Sequence, residues 1–119
     1  MKVLFIDDEK ERFDEFKLLY PDFDITYVDN IVDALDAVCS PAFDFDLLML
    51  DHDLGGKDTT QPIADYIYMK VTGFTDLTVV IHSTNSAGAG NLYSKLHRVV
   101  ECCVIAPYAW AKKNIILER

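Results

Sequence analysis

The sequence has no long hydrophobic stretch. The apolar run at the N-terminus reaches Asp7 and Asp8 after only a few residues, which is too short for the core of a secretion signal and far too short to cross a membrane. The chain is also poor in positive charge, with 11 Lys and Arg against 20 Asp and Glu and a formal net charge of −9. Such an excess repels a phosphate backbone, which disfavours broad binding of duplex nucleic acid. We therefore expect a cytoplasmic protein that does not enter a membrane.

Cysteine and glycine are both scarce. The three cysteines, Cys39, Cys102 and Cys103, are odd in number, and the last two are adjacent in an apolar run. We therefore expect buried thiols in a reducing compartment, not a disulfide framework. The glycines form no linker, and a length of 119 residues with 50% hydrophobic residues is ordinary for one globular unit. We predict a single domain over residues 1–119.

Short apolar runs alternate with segments of helical period. The runs predict five buried strands at residues 3–6, 25–28, 47–50, 77–81 and 102–105. Apolar residues at helical spacing between and after them predict five helices, marked by Phe13, Phe16 and Tyr20; by Ile31, Ala34, Leu35 and Val38 after an Asn30 cap; by Ile63, Tyr66, Ile67 and Val71 between Pro62 and a Gly73 stop; by Leu92, Leu96 and Val99; and by Tyr108, Ala111 and Ile115 after Pro107. This alternation is typical of an α/β protein, a doubly wound (βα)5 domain with a flavodoxin-like parallel sheet in the order 2-1-3-4-5.

Three polar clusters directly follow the predicted strands one, three and four. In that strand order these strands are neighbours, so the clusters are expected to meet at the carboxyl edge of the sheet, where open α/β sheets bind ligands. The clusters are Asp7-Asp8-Glu9, the segment Asp51-His52-Asp53-Leu54-Gly55-Gly56, and His82-Ser83-Thr84-Asn85.

The carboxylates in these clusters would repel one another unless a cation lies among them. Asp7, Asp8, Asp51 and Asp53 offer the hard oxygen atoms that suit Mg²⁺ or Mn²⁺, and coordination by a histidine would favour Mn²⁺. The alternative for any one of these acids is a solvated strand end or a helix cap. The clustering predicts a divalent-metal site.

Other residues of the clusters suit acid–base work and phosphate binding. His82 and His52 are candidates for proton transfer, with a hydrogen-bonded core histidine and a surface loop histidine as the respective alternatives. Small residues lead into the fourth helix and would let backbone N–H groups approach an anion, so we predict a phosphate contact at Ser83, Asn85 and Gly88. The same segment also fits a plain helix start, and it matches neither a Walker loop nor a dinucleotide fingerprint.

These residues together resemble the receiver domain of two-component response regulators over nearly the whole chain. The matching pieces are the acidic pair Asp7-Asp8, Asp51 at the phosphoacceptor position, and Ser83 where the family carries Ser or Thr. The resemblance implies a receiver-like (βα)5 fold, Mg²⁺ held by Asp7 or Asp8 together with Asp51, and phosphorylation of Asp51.

The chain also departs from the receiver pattern. Receivers carry a Lys before a Pro at the end of strand five, where this chain has Ala106-Pro107, and Lys112 and Lys113 lie more than a turn further on. Compared with receivers, the predicted site at the carboxyl edge of the sheet has additional side chains that can donate or accept protons. The altered set resembles a receiver-derived group proposed to process cyclic phosphates in bacterial and phage nucleotide or RNA-end metabolism; the residues that carry this resemblance are 7–9, 51–56 and 82–89.

Our leading hypothesis is a metal-dependent phosphoesterase that acts on a small phosphate ester, with a cyclic phosphate of a nucleotide or an RNA end as the candidate class. Asp51 or a water would attack phosphorus, Ser83 would contact the phosphate, and His82 or His52 would protonate the leaving oxygen. The alternatives are a signalling receiver phosphorylated on Asp51 and a non-catalytic, receiver-like adaptor. A homodimer is left open. Asp51-x-Asp53 also resembles Toprim-like nucleases, although the net charge disfavours cleavage of polynucleotides.

Overall fold

Five short parallel strands form one sheet in the order β2-β1-β3-β4-β5. The computed structural model describes residues 1–70 and 73–114. The strands lie within one residue at each end of the apolar runs that predicted them: β1 is Lys2–Ile6, β2 Asp24–Val28, β3 Leu47–Leu50, β4 Thr78–Ile81 and β5 Cys102–Ile105. The prediction of a doubly wound (βα)5 sheet with flavodoxin-like order is therefore confirmed.

A helix follows each strand: α1 is Lys10–Leu19, α2 Ile31–Cys39, α3 Gln61–Met69, α4 Ser86–Leu96 and α5 Tyr108–Ala111. Asn30 caps α2 as predicted, since its side chain accepts a hydrogen bond from the Asp33 backbone N–H at 2.8 Å. No helix within the described ranges is long and apolar enough to cross a membrane.

Two helix ends differ from the prediction. The last residue of α3 is Met69, so Gly73 is not its stop, and α4 ends at Leu96 before Val99. For α4 the apolar periodicity continued past the helix, because Val99 in the following turn also packs on the core. The predicted helix positions Val71 and Ile115 lie outside the described residues.

The sheet separates two apolar layers, because successive side chains of a strand point to opposite faces. Residues such as Leu4, Leu48 and Val79 pack beneath α2, α3 and α4. Their neighbours Phe5 and Met49 face the other way, toward α1 and α5. The same alternation continues past the end of each strand, so it decides in which layer the next side chains lie.

Only the central strands are covered on both faces. The side chains of β1, β3 and β4 are almost all buried, whereas β2 and β5 are edge strands with much exposed surface. The prediction of five buried strands is wrong at β2 and β5, and the prediction of core cysteines is wrong at Cys39 and Cys102. Cys102 is exposed and only Cys103 packs partly against the core, because an edge strand has a neighbour on one side only; Cys39, the last residue of α2, is also exposed.

The contrast between core and surface leucines gives the first prediction. Leu48 in β3 is fully buried, and Leu18 in α1 is 82% exposed. We expect Leu48→Ala to lower the free energy of unfolding by roughly 2–5 kcal/mol, because it removes buried methyl groups and leaves a cavity. Leu18→Ala, the matched control, is expected to change it by about 0.5 kcal/mol or less. Urea titration measures both, and equal effects would contradict this assignment of the core.

Candidate functional site

Asp7, Asp51 and His82 form a row at the carboxyl edge of the sheet. These three residues lie side by side because the residue that precedes each of them is paired in the sheet register, Ile6 with Leu50 and Leu50 with Ile81. The backbone continues the hydrogen-bond pattern, since the Asp51 N–H donates to Ile6 and the His82 N–H to Leu50, each at 3.0 Å. Alternation along the strands places all three side chains in the layer of α1 and α5.

Asp7 is fully buried and lies at the β1 end of this row, with Asp51 between it and His82. Its carboxylate accepts hydrogen bonds from His82 Nε2 at 2.9 Å and from the Glu9 backbone N–H at 2.8 Å, and Arg12 Nη1 lies 3.3 Å from Oδ2. Burial by itself would raise the pKa of Asp7, but the His82 hydrogen bond, the Glu9 N–H and the nearby charges of His82 and Arg12 outweigh it. The pKa is therefore held below its usual value, and Asp7 is a carboxylate at neutral pH.

Asp51 behaves in the opposite way. Burial and the negative charge of Asp7 raise its pKa to about 7, although the His52 backbone N–H and Arg12 partly oppose the shift. Oxygen atoms of Asp7, Asp8 and Asp51 all lie within 4.8 Å of one another. This arrangement brings together three of the four predicted metal ligands, and its uncompensated negative charge suits a divalent cation with oxygen ligands.

The side chain of Asp53, the fourth predicted ligand, lies elsewhere. Its Oδ1 is 3.0 Å from His52 Nδ1, and its Oδ2 accepts a longer hydrogen bond from the Asn85 side chain at 3.4 Å. Asp53 therefore joins the third and fourth strand-end loops, and its assignment as a metal ligand stays a prediction.

His52 packs against the first turns of α4, and Gly88 makes this contact possible. A Cβ atom at Gly88 would lie 2.6 Å from both Cγ and Nδ1 of the His52 ring, closer than real Cβ contacts occur. His52 is buried, and it faces the layer opposite to Asp51, as expected for the next residue in the chain. The catalytic role predicted for His52 is not tested by this geometry.

The segment predicted as a phosphate cradle starts α4. The Asn85 side chain caps the helix by accepting the Gly88 N–H at 2.9 Å, and Ser83 Oγ accepts the Asn85 N–H at 3.1 Å. The plain helix start is therefore present, and the Gly88 N–H is already used within it. Phosphate binding by Ser83, Asn85 and Gly88 stays a prediction.

His82 lies in the row as expected, but its partner is Asp7 and not the neighbouring Asp51. Its side chain is fully buried. With Nε2 hydrogen-bonded to Asp7, the second ring nitrogen, Nδ1, is buried and has no hydrogen-bond partner in the described part of the chain. A buried polar atom of this kind normally has a partner, so Nδ1 is open to a hydrogen bond from a ligand or water.

Sequence reasoning missed Arg12. This residue lies in the first turns of α1, and its Nη1 is 3.3 Å from Asp7 Oδ2 and 3.7 Å from Asp51 Oδ2. The signal was its spacing of four residues before the buried Phe16, which places an arginine beside the inward stripe of an amphipathic helix. Arg12 supplies a positive charge to the crevice from α1.

No charged side chain follows β5 at the position next to the row. Ala106 continues the sheet, with its N–H donated to Ile81 at 3.0 Å, and it is buried next to Pro107. The position where receivers have a lysine is therefore a small apolar side chain, as the sequence indicated. Among the described residues, the arginine or lysine that pairs with both Asp7 and Asp51 is instead Arg12.

Receiver domains are among the solved structures that are similar to this chain. The chain matches the signal receiver domain of a DNA-binding response regulator from Colwellia psychrerythraea at 20% identity, with a TM-score of 0.68 over 97% of this chain and 94% of the other. The manganese-bound form of response regulator Rcp1 (14% identity, TM-score 0.67, 98% and 96% covered) and the phosphorylated cyanobacterial phytochrome response regulator RcpA (16%, 0.67, 94% and 86%) are similar. At these identities the likeness shows the fold alone, which is that of a receiver domain.

The family is given by the sequence. Residues 2–98 match the family model described as "Cyclic-phosphate processing Receiver domain", and the chain belongs to this family. The match includes Asp7, Asp51 and His82 and ends before β5. No curated protein matches the chain significantly. The predicted resemblance to a divergent receiver group is confirmed.

The raised pKa of Asp51 predicts a pH-dependent stability of the metal-free protein. Because this pKa is about 7 in the fold and near 3.8 in the unfolded chain, the stabilising contribution of protonated Asp51 is full below pH 3.8 and is lost as the pH rises toward 7. Asp51→Asn removes the buried charge and is expected to raise the free energy of unfolding at pH 8 by roughly 1–3 kcal/mol. Urea titrations in a chelator across this range measure the change. Asp36→Asn, at an exposed position of α2, is the control, and a destabilised Asp51→Asn protein at pH 8 would contradict the prediction.

The contact between His52 and Gly88 gives a paired prediction in one helix. Gly88→Ala forces the His52 ring to move and is expected to cost roughly 1–3 kcal/mol, whereas Gly90 has no atom within 4 Å of a built Cβ. Gly90→Ala is therefore expected to be neutral or to stabilise by up to about 1 kcal/mol. Thermal unfolding measures stability, and the ring-proton NMR signals of His52 should shift only in Gly88→Ala. Similar behaviour of the two variants would show that the ring does not pack there.

Proposed function

We propose that the domain is a divalent-metal-dependent phosphoesterase that acts on a small phosphate ester, with a cyclic phosphate of a nucleotide or an RNA end as the substrate class. The observation that carries the proposal is the buried hydrogen bond between Asp7 and His82, placed beside the Asp7–Asp8–Asp51 group. An oriented imidazole with a second nitrogen open to a ligand is the arrangement that proton transfer requires. The family description supports the choice of cyclic phosphates.

Mg²⁺ or Mn²⁺ fits the site. Asp7, Asp8 and Asp51 would hold it through carboxylate oxygens, as the donor set and the raised pKa of Asp51 indicate. The manganese-bound Rcp1 structure has the same fold and supports this proposal. When bound, the cation would polarise a phosphoryl oxygen and offset the negative charge of the phosphate.

The side chains of the row would then carry out hydrolysis. Either a water or Asp51 attacks phosphorus, one ester P–O bond breaks, and the oxygen released takes a proton from His82 Nδ1; His82 regains a proton from the water that is consumed. If Asp51 attacks, water next hydrolyses the aspartyl phosphate, so the net reaction in both cases consumes one water. Asp7 fixes the ring by holding Nε2, and Arg12 adds positive charge beside the two carboxylates. His52 remains an alternative proton donor, although its ring packs on α4.

A signalling role is the second candidate. Asp51 occupies the end of β3 in a receiver fold, and the similar RcpA structure is of a phosphorylated response regulator. Ala106 argues against this role, because the lysine through which receivers contact the phosphoryl group is missing there. A long-lived adduct with acetyl phosphate, without turnover of phosphate esters, would favour signalling over hydrolysis.

The metal site is tested by thermal unfolding with increasing Mg²⁺ or Mn²⁺. We expect a concentration-dependent rise in Tm for the parent, because a ligand bound only by the folded state stabilises it. Asp8→Asn, which removes an exposed member of the cluster, should lose most of this rise, and Asp36→Asn should retain it. No metal-dependent shift in the parent would overturn the proposed metal site.

Catalysis is tested with the adenosine cyclic phosphate in which the phosphate group bridges the two vicinal ribose oxygens. In the presence of Mn²⁺ we expect the parent to open the ring, and His82→Gln to lose roughly 100-fold or more of the rate, as is typical when a general acid is removed. His97→Gln, at the exposed end of α4, is the matched control. Equal rates for the parent and Asp51→Ala, measured by phosphorus NMR, would contradict the assigned site.

A further inference from the structure

An open cleft of about 580 Å³ adjoins the row of site residues. It lies between the loop that leads into α4 and the loop that leads into α5. Its lining residues are Arg12, His82, Ser83, Thr84, Pro107, Tyr108 and Ala109. Three of them belong to the β5–α5 region, which lies beyond the family match over residues 2–98. The cleft therefore extends past the crevice in which the phosphate chemistry is proposed.

The inner end of the cleft is polar and carries the guanidinium group of Arg12. Arg12 is only 25% exposed and lies among acidic groups, so its guanidinium is held near the place where a phosphate would meet Asp51. His82 also lines the cleft, and its buried Nδ1 has no partner among the described residues. That nitrogen can accept a hydrogen bond from a hydroxyl group or, when protonated, donate one. These two residues favour an anionic ligand that also carries hydroxyl groups.

The outer wall of the cleft is largely apolar. It is formed by Pro107, Tyr108 and Ala109 at the start of α5. Tyr108 is fixed because its hydroxyl donates to the Arg12 carbonyl oxygen at 2.6 Å, and its ring packs near His82 with 5.5 Å between ring centroids. This tyrosine therefore links the apolar wall to the arginine at the inner end.

From this arrangement we propose that the cleft binds the organic group of the phosphate ester, a nucleoside-sized group with an apolar face and free hydroxyls. The proposal rests on the proposed function, since it assumes that the phosphate lies at Asp51. The volume is in the range of sites for small organic molecules, and the wall of Pro107, Tyr108 and Ala109 gives apolar surface that a phosphate alone would not use. Thr84 offers a hydroxyl at the opposite side of the opening.

A second cavity shows by contrast why this cleft suits an anion. That cavity, of about 280 Å³, lies at the opposite edge of the sheet, and Asp44, Asp46 and Asp76 are among its lining residues. One of these carboxylates, Asp44, is paired with Lys2, but no lysine or arginine is among the lining residues of that cavity. The lining of the first cleft contains Arg12 and no acidic residue. Charge complementarity therefore favours the cleft between the α4 and α5 loops.

The test compares two ligands and three variants. The ligands are the same adenosine cyclic phosphate and inorganic phosphate, each titrated with Mg²⁺ present and followed by amide NMR shifts. Ala109→Leu and Thr84→Leu add bulk to the cleft from opposite sides, and Ala42→Leu adds it at an exposed position outside the lining residues. We expect each cleft variant to weaken binding of the nucleotide at least 10-fold and to leave inorganic phosphate and metal binding unchanged, with no effect of Ala42→Leu.

The outcomes separate this inference from the proposed function. If metal and inorganic phosphate bind but the nucleotide binds no more tightly than phosphate, or the folded cleft variants bind it as the parent does, the cleft proposal is overturned and the metal site stands. If the amides of Tyr108 and Ala109 shift with the nucleotide while no metal binds, the cleft is supported and the proposed function fails. Absence of both metal binding and nucleotide shifts would overturn both.

Discussion

The buried carboxylate of Asp7 is the constraint on which the rest of the site depends. A fully buried charge is costly unless it is paired and hydrogen-bonded, and Asp7 meets this condition through His82, the Glu9 N–H and Arg12. These contacts fix the orientation of the His82 ring and draw an arginine from α1 toward the sheet edge. Burial, together with the negative charge that Asp7 holds, raises the pKa of the neighbouring Asp51. Two carboxylates at the same edge therefore have opposite properties.

The fold supports this arrangement through register. Three central strands end level with one another, so the first residue after each strand falls in one row and in one layer. The next residue of each strand end points to the other layer, which is why His52 contacts Gly88 of α4 while Asp51 faces α1 and α5. Asp53 and Asn85 then connect the two loops above the sheet. The same alternation that divides the core also divides the polar residues into a charged row and a set of loop contacts.

Much of this could be predicted from the sequence because strand ends are strongly marked. Apolar runs bounded by Asp7, Asp51 and His82 identified the central strands and, through the doubly wound topology, the edge where their polar residues meet. Periodicity could not tell an edge strand from a central one, so Cys102 was wrongly expected in the core. The sequence also does not indicate in which direction a loop side chain points, so the partners of Asp53 and His52 could not be predicted. Arg12 was missed because only residues at the strand ends were considered, and Arg12 reaches the site from a helix.

The hydrogen bond from Tyr108 to the Arg12 carbonyl joins two residues that are 96 positions apart in the chain, and the pair of His82 with Asp7 spans 75 positions. Contacts of such long range make folding slower than local contacts do. During synthesis on the ribosome, a chain that ends before β5 already contains Asp7 and His82 but lacks Tyr108. The contact that ties Arg12 to the wall of the cleft therefore depends on residues after β5, and a chain cut before β5 would lack it.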